Sequence, residues 1–501
     1  MISHWKERPG RIGSEQPYVA YRVSLSPTVR RHQLSTQNGK DSLHIGIAYA
    51  DITPKANVQL SGIVQNIRHG QSVLDRLHAK ALVVESQGRK LCVVALDVTL
   101  ITRKNMDRIR TAAAERHSID ISAVMIHATQ THSAPSIGRY IVSDYCDNIP
   151  PEMEWLTGSN PEYDAYAEEA IVNAIDQAFA ALQPVEMGLG RGMEGQFAFN
   201  RRAIKRNGEA FMPGPSPPKP LGWTDILYME GPIDPELGVM CFRTESLDIP
   251  TVVVNYTCHP VHVFPKPVIS ADWPGALSDS LRAKCGDKCL PLVVNGACGD
   301  VNPWPPFNPD YVEDHCVMGE QLANIARDVM DTLTFSPNAV VDCRTSSLKI
   351  PLREVDPDQL AEAKAILVDQ PTPCLIEIGE GKGVASSWLM AVLAVDLDKT
   401  VKREQVHDYE IQVFRIGDAA FVGLPGEPFA EGGLRIKRES PAEFTWIAHD
   451  VNQYVGYIPT KRAFAAGGHE LATGNWSRLV PEALDMIVEE SVRLLNELFH
   501  V

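Results

Sequence analysis

The chain has 501 residues, 44% of them apolar and 22% charged, with a formal net charge of −16. This is the composition of a globular protein, long enough for one large domain or two to three ordinary ones. The acidic excess, with no basic stripe to offset it, argues against a nucleic-acid partner, and no window approaches the roughly 18 apolar residues of a membrane span.

Residues 1–42 are polar and aperiodic, read as a surface extension, and lack the apolar stretch of a secretory signal. Structure is expected from LHIGIAYADITP, a strand stopped by Pro54, followed by a hairpin, LHAKALVVES and RKLCVVALDVT, turning at Gln87 and Gly88. A charged helix over 103–117 leads to the apolar run AVMIHATQTHSAPS, and Ala167, Ile171, Ala174, Ile175, Ala178, Phe179 and Leu182 mark a helix over 163–182. The stretch 187–230, rich in Gly, Pro and Met, reads as long loops that include FNRR at 199–202.

Two buried strands follow, VVVNYTCHPVH and LPLVV, with a helix starting at Pro274 between them. Each ends in polar residues: His259 and His262 after the first, Asn295 and Asp300 after the second. Residues just past the carboxyl ends of buried strands line the crevice where open α/β sheets bind ligands. A helix over 318–333, a β-like 338–352 and a helical insertion at about 357–400 come next. The chain closes with a hairpin turning at Gly417 and Asp418, the segment HDVNQYVGYIPTKRAF, and a helix over 481–499. No internal repeat is visible, so one integrated α/β domain over 43–501 is expected, with mixed, largely buried sheets flanked by helices. The ten scattered cysteines, several inside apolar runs, suit reduced thiols and a cytoplasmic location.

ATQTHSAP, YTCHP with SADWPG, GDVNP, and PGEPF with NQYVGYIPT occur in this order, with DITP before them and FNRR among them. Together they resemble the catalytic domain of the neutral/alkaline non-lysosomal ceramidases, over about 43–501 and without that family's C-terminal immunoglobulin-like domain. The resemblance implies a zinc-dependent amidase. Carried over position by position, it makes His259, Glu427 and Tyr457 metal ligands and puts Gln130 where the family has its first histidine ligand. His127 and His262 are the nearby histidines for a rearranged set. His132 matches a proton-handling group and Arg201 would stabilise developing negative charge. Asp300 and Asp272 would orient their neighbours, and Asn302 stands where the family has a serine.

The catalytic set expected is therefore His132, Arg201 and Asp300, with Asn302, Trp304 and Asp272 on the substrate. Trp223 and Trp273 also lie near the motifs. A cytoplasmic chain without the extra domain suits a small polar amide better than two-tailed ceramide. A glycosidic bond, or a non-catalytic ligand-binding homologue with a degraded zinc site, are the alternatives. The partners expected are a small-molecule substrate and, if the chain assembles, copies of itself.

Overall fold

The computed structural model describes residues 42–55, 57–214, 225–308, 311, 313–378 and 381–499. The expected extension over 1–42 falls outside these, apart from its last residue.

The first third of the described chain folds as a three-stranded antiparallel meander of β1 (His44–Asp51), β2 (His78–Ser86) and β3 (Arg89–Leu96). Helix α1 (Arg103–His117) then crosses to β4 (Val124–Ala128), parallel to β3, and α2 (Pro161–Ala180) follows. The second third repeats this plan. Strands β5 (Glu186–Met193), β6 (Glu236–Arg243) and β7 (Thr251–Tyr256) form the meander. Helix α3 (Asp272–Cys285) crosses to β8 (Leu292–Asn295), parallel to β7, and α4 (His315–Met330) follows.

The last third repeats it again, interrupted after its first strand. Strand β9 (Val341–Pro351) is followed by the inserted helices α5 (Pro357–Asp369) and α6 (Ser386–Glu404). Strands β10 (Val406–Ile416) and β11 (Ala419–Gly423) complete the meander. Helix α7 (Ala430–Glu439) crosses to β12 (Phe444–Ala448), parallel to β11, and α8 (Ala483–Phe499) ends the described chain. The expectation of no internal repeat is corrected here: the repeat lies in topology, and different side chains fill it each time.

Period-2 strands with both faces apolar must be covered twice, and the packing does this. In β2, Leu82 and Val84 face a central core that also takes Phe242 and Val253 from the second sheet and Phe421 and Trp446 from the third. The alternate residues Ala79, Ala81 and Val83 face α1 and α2. Likewise α3 and α4 cover the second sheet, and α7 and α8 the third. Burying one such aliphatic side chain is worth about 1.5–3 kcal/mol, so the shared core is the main source of cohesion. The three fourth strands also meet through one ring of hydrogen bonds. His127 Nδ1 donates to His449 O at 2.6 Å, His449 N–H to Asn295 O at 3.2 Å, and Asn295 N–H to His127 Nε2 at 3.0 Å.

The expectation of loops throughout 187–230 is also corrected, because Glu186–Met193 is a full strand. Its glycines are contact surface for α4. A Cβ on Gly188, Gly190 or Gly192 would lie 2.9 Å from Leu333 Cβ, 2.6 Å from Val329 Cγ1 or 2.5 Å from Ile325 Cγ2. A tighter constraint holds at Gly238 in β6, where a Cβ would lie 2.1 Å from Nε1 of the fully buried Trp446. That rigid ring has nowhere to move. Gly238→Ala should therefore destabilise the protein by about 1–3 kcal/mol, read as a lower urea midpoint. An unchanged midpoint would show that the three sheets are not packed this tightly. Among the described residues, no helix is long and apolar enough to cross a membrane.

Candidate functional site

In each third of the fold the polar residues come just after the third and fourth strands, and the shared core brings these strand ends together. Gln130 and His132 follow β4, His259 follows β7, Asp300 follows β8, Glu427 follows β11 and Tyr457 follows β12. Glu427 and Tyr457 are direct partners in a two-residue parallel bridge.

His259 is fully buried, with Nδ1 2.6 Å from Cys298 O and 3.2 Å from Val301 O, so the ring proton sits on Nδ1. Nε2 then presents its lone pair to Glu427 Oε2 at 3.2 Å. Burial and the Arg201 charge push the imidazole well below its usual range. Burial raises the Glu427 carboxyl, while the Arg201 charge and hydrogen bonds from Gln130, Tyr454 and Tyr457 work in the opposite direction. The Tyr454 hydroxyl donates to Glu427 Oε1 at 3.1 Å.

Gln130 takes up a left-handed backbone conformation (φ 68°). Its amide N–H is used on Glu427, and its Oε1 faces Cys298 Sγ at 3.9 Å. It thus braces a neighbour rather than aiming an oxygen as a ligand. His132 stands beside His259, with ring centroids 5.5 Å apart. Burial first, then the neighbouring His259 and the Arg68 and Arg201 charges, push its imidazole well below the usual range.

Arg201 closes the arrangement. Its Nη1 lies 3.5 Å from His259 Nε2 and donates to Asn302 Oδ1 at 3.1 Å. Its Nε donates to Glu470 Oε1 at 2.7 Å, and the guanidinium lies 5.3 Å from the Tyr457 ring centroid. The second oxygen of Glu470 takes Arg202 Nη1 at 2.6 Å, so one buried carboxylate holds both arginines. Burial disfavours that carboxylate's charge, yet Arg201 and Arg202 bring its pKa down to about 2.

A cavity of about 420 Å³ opens above these groups, within the range of small-molecule sites. Its polar lining residues include Gln65, Thr99, Gln130, His132, Ser386, Glu427, Tyr454, Tyr457 and His469, and Ile63, Val64, Leu100, Ile141, Met390 and Trp476 are apolar lining residues. Met390 and Ser386 come from α6, so the inserted helix is part of the cavity wall. It is held there by Asp396, which accepts from the N–H and hydroxyl of Ser143.

The remaining expected residues lie off the cavity. Asp300 accepts from Ala430 N–H at 2.8 Å and Asn200 Nδ2 at 2.7 Å, fixing the start of α7 and the FNRR loop, and burial raises its pKa to about 6. With both oxygens committed, it is a positioning group rather than a reacting one. Asn302 reaches the site only through Arg201. Trp304 is not among the lining residues, Trp273 is core and donates to Cys258 O, and Trp223 lies outside the described residues. Asp272 binds His262 Nδ1 at 2.8 Å, away from the cavity, which removes His262 as a replacement ligand. His127 is removed too, because both its nitrogens serve the ring of fourth strands. Sequence reasoning missed Tyr454, although it sits inside the NQYVGY motif, and Glu470, which no motif marks.

Residues 43–276 match the model of the neutral/alkaline non-lysosomal ceramidase N-terminal region. The neutral ceramidase of Pseudomonas aeruginosa is 24% identical over 509 residues, spanning 90% of this chain and 72% of its own length. A solved structure described as "Ceramidase complexed with C2" superposes with a TM-score of 0.68 at 20% identity, over 92% of this chain and 75% of that one. The crystal structure of neutral ceramidase from Pseudomonas aeruginosa gives 0.66 at 18% identity, with the same coverage of both chains. By sequence over residues 43–276 the chain is similar to the neutral/alkaline non-lysosomal ceramidases, and it shares the fold of the solved ceramidases over most of its length.

Proposed function

We propose that the chain is a metal-dependent hydrolase that cleaves an amide whose apolar arm fits the 420 Å³ cavity. The observation that carries this reading is the meeting of His259 Nε2 and Glu427 Oε2 at 3.2 Å. These are two electron-rich atoms with no imidazole proton between them. Their separation is close to the roughly 3.3 Å expected between two ligands bound at about 2.0–2.1 Å at a tetrahedral angle. A divalent cation therefore fits the donor set, with His259, Glu427 and Tyr457 to hold it and Gln130 bracing Glu427. When bound, such an ion acidifies a water and polarises a carbonyl.

The chain's own residues supply the rest. Arg201, held charged by Tyr457, Glu470 and Glu427 against the effect of burial, stabilises negative charge developing on the scissile group. His132, on the cavity wall beside His259, takes up a proton and returns it to the leaving amine. The Ile63, Val64, Leu100, Ile141, Met390 and Trp476 side of the wall supports an amide with a compact apolar arm, in place of the small polar amide expected from the sequence. The ten free cysteines, with no disulfide among them, support a reducing compartment such as the cytoplasm.

The test is a panel of N-acyl amides of graded acyl length, assayed with purified chain that is metal-loaded or chelator-treated. Hydrolysis should need the metal and should peak at short to medium arms. Met390→Trp should remove the longest accepted arms, since about 10–200-fold discrimination per methylene is ordinary for an apolar pocket. Chelator-insensitive cleavage, or no cleavage of any amide by loaded protein, would sink the proposal.

A further inference from the structure

A second, larger cavity of about 750 Å³ lies beside the first and shares Tyr140 and Tyr454 with it as lining residues. These two rings meet edge to face, with centroids 5.7 Å apart. The start of α1, Asp164 of α2, His407 of β10 and Arg478 also line it. Five arginine and lysine side chains on its wall face four carboxylates, so neither sign of charge prevails.

Two of these groups hold buried acceptors that no donor reaches. Asp164 takes hydrogen bonds from the Gly138 N–H and from Ser159 Oγ, the latter at 2.8 Å, but its Oδ1 is buried with no partner. His407 hydrogen-bonds Gln453, and burial first, then the Arg478 and Arg103 charges, bring its imidazole down to about 3. The neutral ring carries one proton, which serves Gln453 and leaves a lone pair on Nε2. That nitrogen is also buried with no partner.

The same wall holds donors that lack acceptors. Arg478 donates Nε to Val455 O at 3.2 Å and Nη2 to Tyr454 O at 2.6 Å, and among the described residues it makes no ion pair. Thr102 turns its hydroxyl to Asn105 Oδ1 and leaves α1 without a side-chain cap. The first N–H groups of α1, on Arg103 and Lys104, therefore stay unused by the helix.

Unmatched donors and acceptors in one cavity, with no prevailing charge, suit a ligand that offers both kinds of group. A hydroxyl does so, with one O–H to give and two lone pairs to receive. We propose that this second cavity binds a neutral, polyhydroxylated small molecule of sugar size. Its hydroxyls donate to Asp164 Oδ1 and His407 Nε2, and accept from Arg478 Nη1 and the first turn of α1. The volume lies within the range of small-molecule sites.

Binding there needs no metal, so it is measured on the full chain after chelator treatment, apart from any hydrolysis. Saturation-transfer NMR and titration calorimetry are run with myo-inositol, N-acetylglucosamine and maltose, against 1-propanol, glycine and inorganic phosphate. At least one polyol should bind, and more tightly than any of the three controls. Asp164→Asn should weaken it by about 10–150-fold, the range for a hydrogen bond to a charged group. His407→Phe keeps the ring's bulk but lacks the acceptor, and should weaken binding by about 2–10-fold even if Asp164→Asn fails to fold. Met390→Trp, which narrows only the first cavity, should leave polyol binding unchanged. The site is overturned if no polyol binds, or if phosphate or glycine binds more tightly than every polyol. Binding unaltered by both Asp164→Asn and His407→Phe, or lost in Met390→Trp, overturns it as well.

Discussion

Replacing Glu427 with alanine should lower hydrolysis by about a thousandfold, the upper range for loss of one electrostatic group in a preorganised site, and metal content should fall with it. Glu427 is where the strand ends of the third repeat meet those of the other two. It faces His259 Nε2 at 3.2 Å and takes hydrogen bonds from Gln130, Tyr454 and Tyr457. The fold should survive, because Arg201 keeps its pairing with Glu470 and His259 is neutral. Glu427→Gln separates charge from shape: it retains an oxygen acceptor but lacks the negative charge a cation needs. Metal analysis, turnover and thermal unfolding on the same preparations decide the matter. Full activity with metal retained would reduce Glu427 to a residue that merely joins two short strands.

Removing Glu470 should act on stability instead. This carboxylate is 1% exposed and is the shared partner of Arg201 and Arg202. Glu470→Gln leaves Arg201 without a carboxylate bonded to its Nε and Arg202 with Glu230 alone, a loss expected to cost about 3–5 kcal/mol at neutral pH. The dependence on pH has a definite sign. The folded pKa is depressed to about 2, below the ordinary value of 4.5, so the stabilisation is fully present above about pH 4.5. It is lost as pH falls towards 2, and a depression of this size corresponds to about 3 kcal/mol. Urea unfolding across this window should show wild type and Glu470→Gln converging as the pH drops. Two parallel stability curves would mean that Glu470 is not ionised in the native protein.

The acid window and the Glu427 result depend on features with very different visibility in the sequence. Glu427 stands in a motif, and its place after a hairpin strand could be read from YEIQVFRIGDAAFVGLPGEPF. Glu470 lies 269 positions from Arg201, in a segment with no periodicity, and only the folded chain pairs them. Tyr454 and Tyr457 are three residues apart in one motif. Which of them faces Glu427 was set by the turn between β12 and the short strand, and in fact both do.

What the sequence determined by itself was local. Period-2 apolar runs bounded by turn residues specified the strands. Gln87 and Gly88, both with positive φ, made the first hairpin turn, and Asn160 with Pro161 behind it set the start of α2 close to the expected 163. The order of the polar motifs also pointed to the strand ends that meet at the cavity. Tertiary structure decided everything that depends on one strand end reaching another. Helix packing made a strand of glycine-rich 186–193, since those glycines serve the approach of α4. The threefold repetition was hidden because each copy fills its positions with different side chains, and hydrogen-bond topology carries no residue signature. His259 and His262, three residues apart, parted company for the same reason. One fell on the side of the turn facing Glu427 and the other beside Asp272, and only the path of the backbone between β7 and α3 could choose.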